Sequence, residues 1–202
     1  MRLLLTAGPT REPLDPVRYL SNRSTGRVGF AIAEEALRRG HDVQIVLGPV
    51  GRPPPAGTEA VLVETAEEML AAVLERLEGS DAIICSAAVA DHRPARRSSR
   101  KIKHGDLNAI ELVENPDIAA EVGKRRQKRP LCVFALESED GVANARRKLD
   151  EKNADLCVLN APDAIGAVAA TFTLVRRDGT HRALGHIDKA ALAAILLEEL
   201  GL

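Results

Sequence analysis

The sequence predicts a doubly wound α/β fold, a mostly parallel sheet with helices on both faces. Three observations carry that prediction. Six short runs, Leu3 to Ala7, Val43 to Leu47, Ala60 to Val63, Ala82 to Ser86, Leu131 to Leu136 and Leu156 to Leu159, are mostly apolar without strict alternation, as strands covered on both faces require. Helical patterns separate most of them, the order that builds a parallel sheet through crossovers. The 202 residues suit one domain, 1–202, and are enough to bury a full core.

The first strand breaks at Gly8-Pro9. A polar loop with two further prolines and three arginines follows, and the chain enters its first helix through Ser24-Thr25-Gly26. A loop that feeds a helix N-terminus leaves backbone N–H groups unpaired, and with the helix dipole they form an anion site. Phosphate is the first ligand to consider. Along the helix, Val28, Ile32 and Ala36 stand beside Gly29, Ala33 and Leu37 on one stripe, and Gly40 is placed for a C-cap. Arg52 to Gly57 is proline-rich and reads as a surface connection. The second helix opens at Thr65 with Glu68 three residues on, a capping box, and buries Met69, Ala72, Val73 and Leu77.

Two segments depart from the alternation. RPARRSSRKIKHGDLNAIELVE, Arg93 to Glu114, is too polar for a core helix; its basic arm, a turn near Gly105-Asp106 and an alternating tail predict a flexible hairpin or lid over about 93–114. Thr171 to Ile187, with a turn at Asp178-Gly179, predicts an antiparallel hairpin on the sheet edge. Asp188 then caps a closing helix, Lys189 to Leu200.

Lys plus Arg number 28 and Asp plus Glu 29, a net charge of −1, which gives no broad field for nucleic acid or an anionic membrane. Aromatics at 2% leave almost no base-stacking platforms, so the core is built from Leu, Val, Ile and Ala. The cysteines, Cys85, Cys132 and Cys157, each sit in an apolar run and are expected to be reduced core residues. Strand one begins at once, without a basic-then-apolar signal segment, and the longest apolar stretch, near Ala164 to Val175, is too short to span a bilayer. A cytoplasmic protein with neither nucleic-acid nor membrane partner is expected.

In Rossmann-like sheets, ligands bind beyond the carboxyl ends of the strands, where the crossovers change direction. That geometry gathers Gly8 to Asn22, Ala87 to Arg93 and Glu137 to Asp140 into one pocket. A nicotinamide cofactor fits poorly, because the first turn lacks G-x-G-x-x-G and the second strand ends in Gly48-Pro49-Val50 where an acidic residue would hold a ribose. A short-chain reductase fits no better: the sole tyrosine, Tyr19, is followed four residues later by Arg23.

TAGPTREPLDPVRYLSNRSTGRVGFAIA, AAVADHRP, KIK, ENPDI and K-x-x-x-K-N, in that order, resemble the bacterial phosphopantothenoylcysteine synthetases, the ligase half of the bifunctional coenzyme A biosynthesis flavoprotein. The likeness runs from residue 1 to about 160, with the hairpin and last helix in the expected places. It implies a ligase that activates 4′-phosphopantothenate with CTP as an acyl-cytidylate, releasing pyrophosphate, and then couples it to L-cysteine with loss of CMP. Mg²⁺ would accompany the nucleotide. A homodimer is implied, and a phosphopantothenoylcysteine decarboxylase domain is the implied partner. Only Met1 and Arg2 precede Leu3, so a stand-alone synthetase or an excised domain is expected, with no flavin in this chain.

The resemblance also assigns residues. Asn22 would hold the acyl-phosphate carbonyl, although by itself it reads as a loop amide or N-cap. Arg18, otherwise a surface charge, matches an arginine at the substrate phosphate or intermediate. Lys101 matches a mobile-arm lysine at the α-phosphate, in a basic arm that otherwise reads as a solvated face. Gly8, Ala87 and Ala88 match nucleotide-binding positions. Asp91 would contact the nucleotide or its metal, or else cap a turn before Pro94. Asn115, Pro116, Asp117 and Ile118 would start a helix beside the base or ribose. Phe134 is either the aromatic near the nucleotide or plain core. Lys148 and Lys152, four apart on one helical face, would clamp the β- and γ-phosphates or merely pair with Asp150 and Glu151. Departures include His104 where the family has a further lysine, and Leu136 in Val133 to Ser138 where a smaller alanine is usual, which leaves an ATP-using variant open. A non-catalytic nucleotide-binding or assembly module of the same fold is the remaining alternative.

Overall fold

The computed structural model describes residues 1–137 and 139–202; Ser138, in the loop expected after the fifth strand, lies outside the described residues. In chain order the elements are β1 (Arg2–Ala7), β2 (Arg11–Pro13), β3 (Tyr19–Ser21), α1 (Arg27–Arg38), β4 (Asp42–Leu47), β5 (Glu59–Leu62), α2 (Ala66–Leu77), β6 (Ala82–Cys85), β7 (His92–Pro94), β8 (Leu112–Glu114), α3 (Ile118–Arg125), β9 (Leu131–Leu136), α4 (Gly141–Glu151), β10 (Leu156–Asn160), a 3₁₀ turn (Pro162–Ala164), β11 (Ala169–Arg176), β12 (His181–Asp188) and α5 (Lys189–Glu199).

The main sheet has the order β12-β11-β10-β9-β6-β1-β4-β5. Its six strands from β5 to β10 are parallel, and β11 and β12 run antiparallel at one edge, with a bulge between Phe172 and Thr173. Each predicted strand is present to within a residue or two. Alternate side chains divide between two cores. Leu3, Leu5 and Ala7 of β1 pack with Phe30, Ile32 and Ala33 of α1 and Leu192 and Leu196 of α5. Leu4 faces the other side, with Met69 and Val73 of α2, Val122 of α3 and Leu149 of α4. Burial on both faces explains why the strands read as unbroken apolar runs. Each fully buried Leu or Ile contributes about 1.5–3 kcal/mol, so the sheet interior is the main source of stability.

The helix ends follow local chemistry. Thr65 and Glu68 form the predicted capping box, Asp188 accepts the Ala191 N–H at 2.7 Å, and Gly40, at φ +80°, closes α1 by donating to Leu37 O. Three details differ from expectation. The loop after β1 is not irregular throughout: β2 and β3 pair as a small hairpin. Asn22 does not cap α1, because Gly26 takes the N-cap position in the left-handed region at φ +72°, without a side-chain cap. Pro116 lies ahead of α3, whose cap is Asp117, accepting from Ala120 N at 2.9 Å.

The 93–114 excursion is a hairpin whose base is the β7–β8 pair, with the expected turn at Gly105-Asp106. Among the described residues no helix is long and apolar enough to cross a membrane.

Candidate active site

The strand order reverses between β1 and β6, and the loops leaving those two strands are stitched together there. Ala88 donates to Gly8 O at 2.9 Å, Thr10 donates to Ala88 O at 3.3 Å, and the Ala90 N–H reaches Thr10 Oγ1 at 3.0 Å. Asn22, just after β3, adds its amide: Nδ2 donates to Ala88 O at 3.1 Å and to Val89 O at 3.0 Å. Its two donors thus span the cleft edge, and the side-chain oxygen remains as an acceptor.

Over this junction opens a cavity of about 850 Å³. It is lined by eleven of the fourteen expected site residues: Asn22, Ala87, Ala88, Asp91, Asn115, Pro116, Asp117, Ile118, Phe134, Lys148 and Lys152. The chain therefore brings together residues from the loops after β3 and β6, the start of α3, β9 and the C-terminal part of α4. Gly8, Arg18 and Lys101 do not line it.

Gly8 has a packing role one layer below. At φ +78° it passes within reach of Gly48 O, which an added Cβ would approach to 2.9 Å. Gly48, at the end of β4, is tighter still: a Cβ there would lie 1.8 Å from Pro9 O. The first loop fills the place where a ribose-binding carboxylate would project, which is the physical reason no acidic residue stands there.

The start of α1 opens directly into the cavity through Thr25, Gly26, Arg27, Val28 and Gly29. Phe30 is the first residue of the helix whose N–H returns to the Gly26 carbonyl, so the preceding amides are available to an anion. Gly29 lets the helix sit close to the sheet; a Cβ on it would lie 2.4 Å from Ala7 Cβ.

On the opposite wall the cations are engaged. Lys148 donates to Phe134 O at 3.1 Å, and Lys152 is ion-paired with Asp117. Asn115 is a tether: its Nδ2 donates to Ala90 O at 2.8 Å, its Oδ1 accepts from Arg93 at 3.2 Å, and its N–H donates to Asp91 O. Cys85 lines the cavity as a half-buried residue, and burial together with the Asp117 charge pushes its thiol up to about 12. Such a thiol is inert at neutral pH.

Arg18 and Lys101 belong to one unit beside the cavity. The side chain of Asp15 is fully buried and accepts from Val17 N, Arg18 N, Arg18 Nε and Nη2, and Ile102 N. Arg18 Nη2 also donates to Ile102 O at 3.0 Å. The arm is thereby docked on the β2–β3 turn next to Lys101. Arg18 foremost, then these backbone donors, hold the Asp15 carboxyl far below the usual range. Sequence reasoning overlooked Asp15, Arg27 and Lys189, the last two of which line the cavity. Asp15 lies in a proline-flanked turn with no periodicity to mark it, and Arg27 and Lys189 meet only through the packing of α1 and α5.

A strand-tip cavity into which the start of α1 opens, ringed by lysines, arginines and amides, sits in a doubly wound α/β fold. The chain belongs to the family described as DNA/pantothenate metabolism flavoprotein C-terminal domain, whose model matches residues 1–201. It is 41% identical over 204 residues to the coenzyme A biosynthesis bifunctional protein CoaBC of Vibrio cholerae, covering 97% of this chain and 51% of that protein. The CoaBC of Escherichia coli K12 is 47% identical over 165 residues, 79% of this chain and 41% of that one. The chain thus spans about half the length of the curated relatives it matches. The crystal structure of the C-terminal domain of a CoaBC superposes with a TM-score of 0.86 at 38% identity, covering 98% of this chain and 93% of that one.

Proposed function

We propose that the chain is the ligase unit that joins 4′-phosphopantothenate to L-cysteine in coenzyme A biosynthesis, driven by CTP. The observation that carries this reading is the convergence on one cavity of eleven residues scattered from Asn22 to Lys152, in a chain of this family.

In the first step a carboxylate oxygen of phosphopantothenate attacks the α-phosphorus of CTP, and the P–O bond to the β-phosphate breaks to release pyrophosphate. The cysteine amine then adds to the acyl carbon. The C–O bond to phosphate breaks, CMP leaves, and the amine gives up its proton as the amide forms. The free amides at the start of α1 receive phosphate charge, and Asn22 orients the acyl group once its loop contacts yield. Lys101, delivered by the arm, offsets charge growing on the α-phosphate, an effect worth several kcal/mol, roughly, in a water-poor site. Arg18, steadied by Asp15, addresses the substrate phosphate. Lys148 and Lys152 serve the nucleotide after giving up their present partners.

Mg²⁺ fits as a companion of the nucleotide. Among the described residues no three His, Cys, Asp or Glu side chains cluster as a resident metal site, and Asp91 offers one oxygen at the cavity. A single carboxylate with phosphate oxygens and water is the coordination Mg²⁺ favours. Flavin is assigned to a decarboxylase partner and not to this chain.

A homodimer is supported by exposed apolar side chains on the β2–β3 turn and the arm: Val17, Tyr19, Ile110, Leu112 and Val113. The patch adjoins Arg18, so a second copy placed there would meet the unit that carries Arg18 and Lys101.

A pyrophosphate-release assay tests the reading. With Mg²⁺, CTP and 4′-phosphopantothenate alone are expected to release pyrophosphate only as far as acyl-cytidylate accumulates, and sustained release is expected once cysteine is added. A silent assay with intact CTP binding would favour the non-catalytic module, and equal turnover with ATP would favour the ATP-using variant.

A further inference from the structure

The cavity holds a cation that the proposed chemistry does not use. Lys189, the first residue of α5, is only 7% exposed, yet it lines the cavity together with Arg27, the first residue of α1. Its ammonium donates to two backbone carbonyls of the preceding loop, Ala167 O at 2.5 Å and Ala164 O at 3.2 Å. An ammonium carries three donors. A lysine fastening a loop needs no cavity beside it, and carbonyl oxygens do not cancel its charge.

The setting is costly for a cation. Helix N-termini repel positive charge, and here two adjacent helices each begin with a cation on the same wall. Burial first, and the Arg27 charge second, push the Lys189 ammonium below its ordinary pKa. On the opposite wall Lys152 already has Asp117 and Lys148 has Phe134 O. On the α1–α5 side neither Lys189 nor Arg27 has a carboxylate partner among the described residues, and the free amides of α1 point there too. An anion seated there relieves both cations at once.

We infer that Lys189 is an anion-binding residue of this cavity and, with Arg27, holds the polyphosphate tail of the nucleotide on the α1–α5 wall. The inference rests on the ligase reading for the identity of the nucleotide.

The test compares CTP, CMP and inorganic pyrophosphate binding by calorimetry in the intact chain, in Lys189→Met and in Lys189→Gln. Gln keeps donors for the loop carbonyls but deletes the charge. Lys189→Gln is expected to melt no lower than the wild type, since a buried, repelled cation is gone while a donor remains, whereas Lys189→Met, which leaves the Ala164 and Ala167 carbonyls without a donor, is expected to melt lower. Both should bind CTP and pyrophosphate about tenfold or more weakly, as loss of a charge-assisted contact implies, while CMP binding changes little. Equal weakening of CTP and CMP, unchanged CTP binding in both variants, or full recovery with Gln would each overturn the assignment in favour of loop fastening. A wild type that binds neither CTP nor pyrophosphate would instead bring down the nucleotide reading, and the role of Lys189 with it.

Discussion

Asp15 and Arg18 form a buried-to-surface ion pair, with Arg18 Nη2 2.6 Å and Nε 3.0 Å from Asp15 Oδ2, and the same oxygen accepts the Ile102 N–H of the arm. One carboxylate therefore positions both the guanidinium and the segment next to Lys101. Asp15→Asn keeps the shape and removes the charge. Its kcat is expected to fall by about tenfold or more, as misplacement of catalytic groups implies, with the strand-tip cavity still able to bind CTP. Steady-state kinetics with parallel calorimetry checks this.

The same residue gives an acid signature. The folded-state pKa of Asp15 lies far below the usual 3.8, so its contribution to stability is fully present above the unfolded value and is lost as pH falls through the folded one. The stability gap between wild type and Asp15→Asn should be constant above about pH 5 and should narrow only below about pH 4. Urea melts from pH 2.5 to 7 measure it; a gap independent of pH would show that the charge contributes nothing.

How much of this could be read in the sequence depends on what each part needs. The strands were legible because burial on both faces forces long apolar runs, as in Leu131 to Leu136. The capping box at Thr65 and Glu68 and the edge hairpin were legible because they rest on local chemistry. The β2–β3 hairpin was not, since Arg11–Pro13 and Tyr19–Ser21 are too short to show a period. The absence of an acid at Gly48 was visible, but its cause, the Pro9 carbonyl, is a tertiary contact. The cavity residues were found through motif resemblance. Arg27 stands in the first motif block without an assigned role, Lys189 lies outside the motifs, and the two are brought together only by helix packing.

Gly29 separates α1 from β1 with no room for a methyl group, since a Cβ would lie 2.4 Å from Ala7 Cβ and 3.0 Å from Ser86 Oγ. Gly29→Ala should lower stability by roughly 1–3 kcal/mol, the usual range for overpacking. It should also weaken CTP binding by shifting the amides of α1. Denaturant titration and calorimetry read the two effects separately.

Cys85 and Cys157 are both pushed up to about 12, chiefly by burial. At pH 8 a thiol of that pKa is about one part in 10⁴ thiolate. Labelling by a thiol-reactive dye should therefore be slow in the folded protein and become complete only in denaturant. Rapid labelling of Cys85 at pH 8 would contradict that environment.

Val113 and Leu112 lie exposed on the arm. If the patch pairs two copies, Val113→Glu should shift the chain toward monomer in sedimentation and reduce turnover without unfolding it. An unchanged sedimentation coefficient would remove the patch from the assembly.

The central claim is that the strand-tip cavity transfers a nucleotidyl group to a carboxylate before any amide is made. Mass spectrometry of a reaction holding CTP, Mg²⁺ and 4′-phosphopantothenate without cysteine addresses it most directly. The expected result is an acyl-cytidylate that converts to amide and CMP when cysteine is added, and that does not form efficiently when Lys101 is replaced by Ala. Amide formation with no acyl-nucleotide on the way, or no reaction at all from a chain that binds all three substrates, would contradict the account.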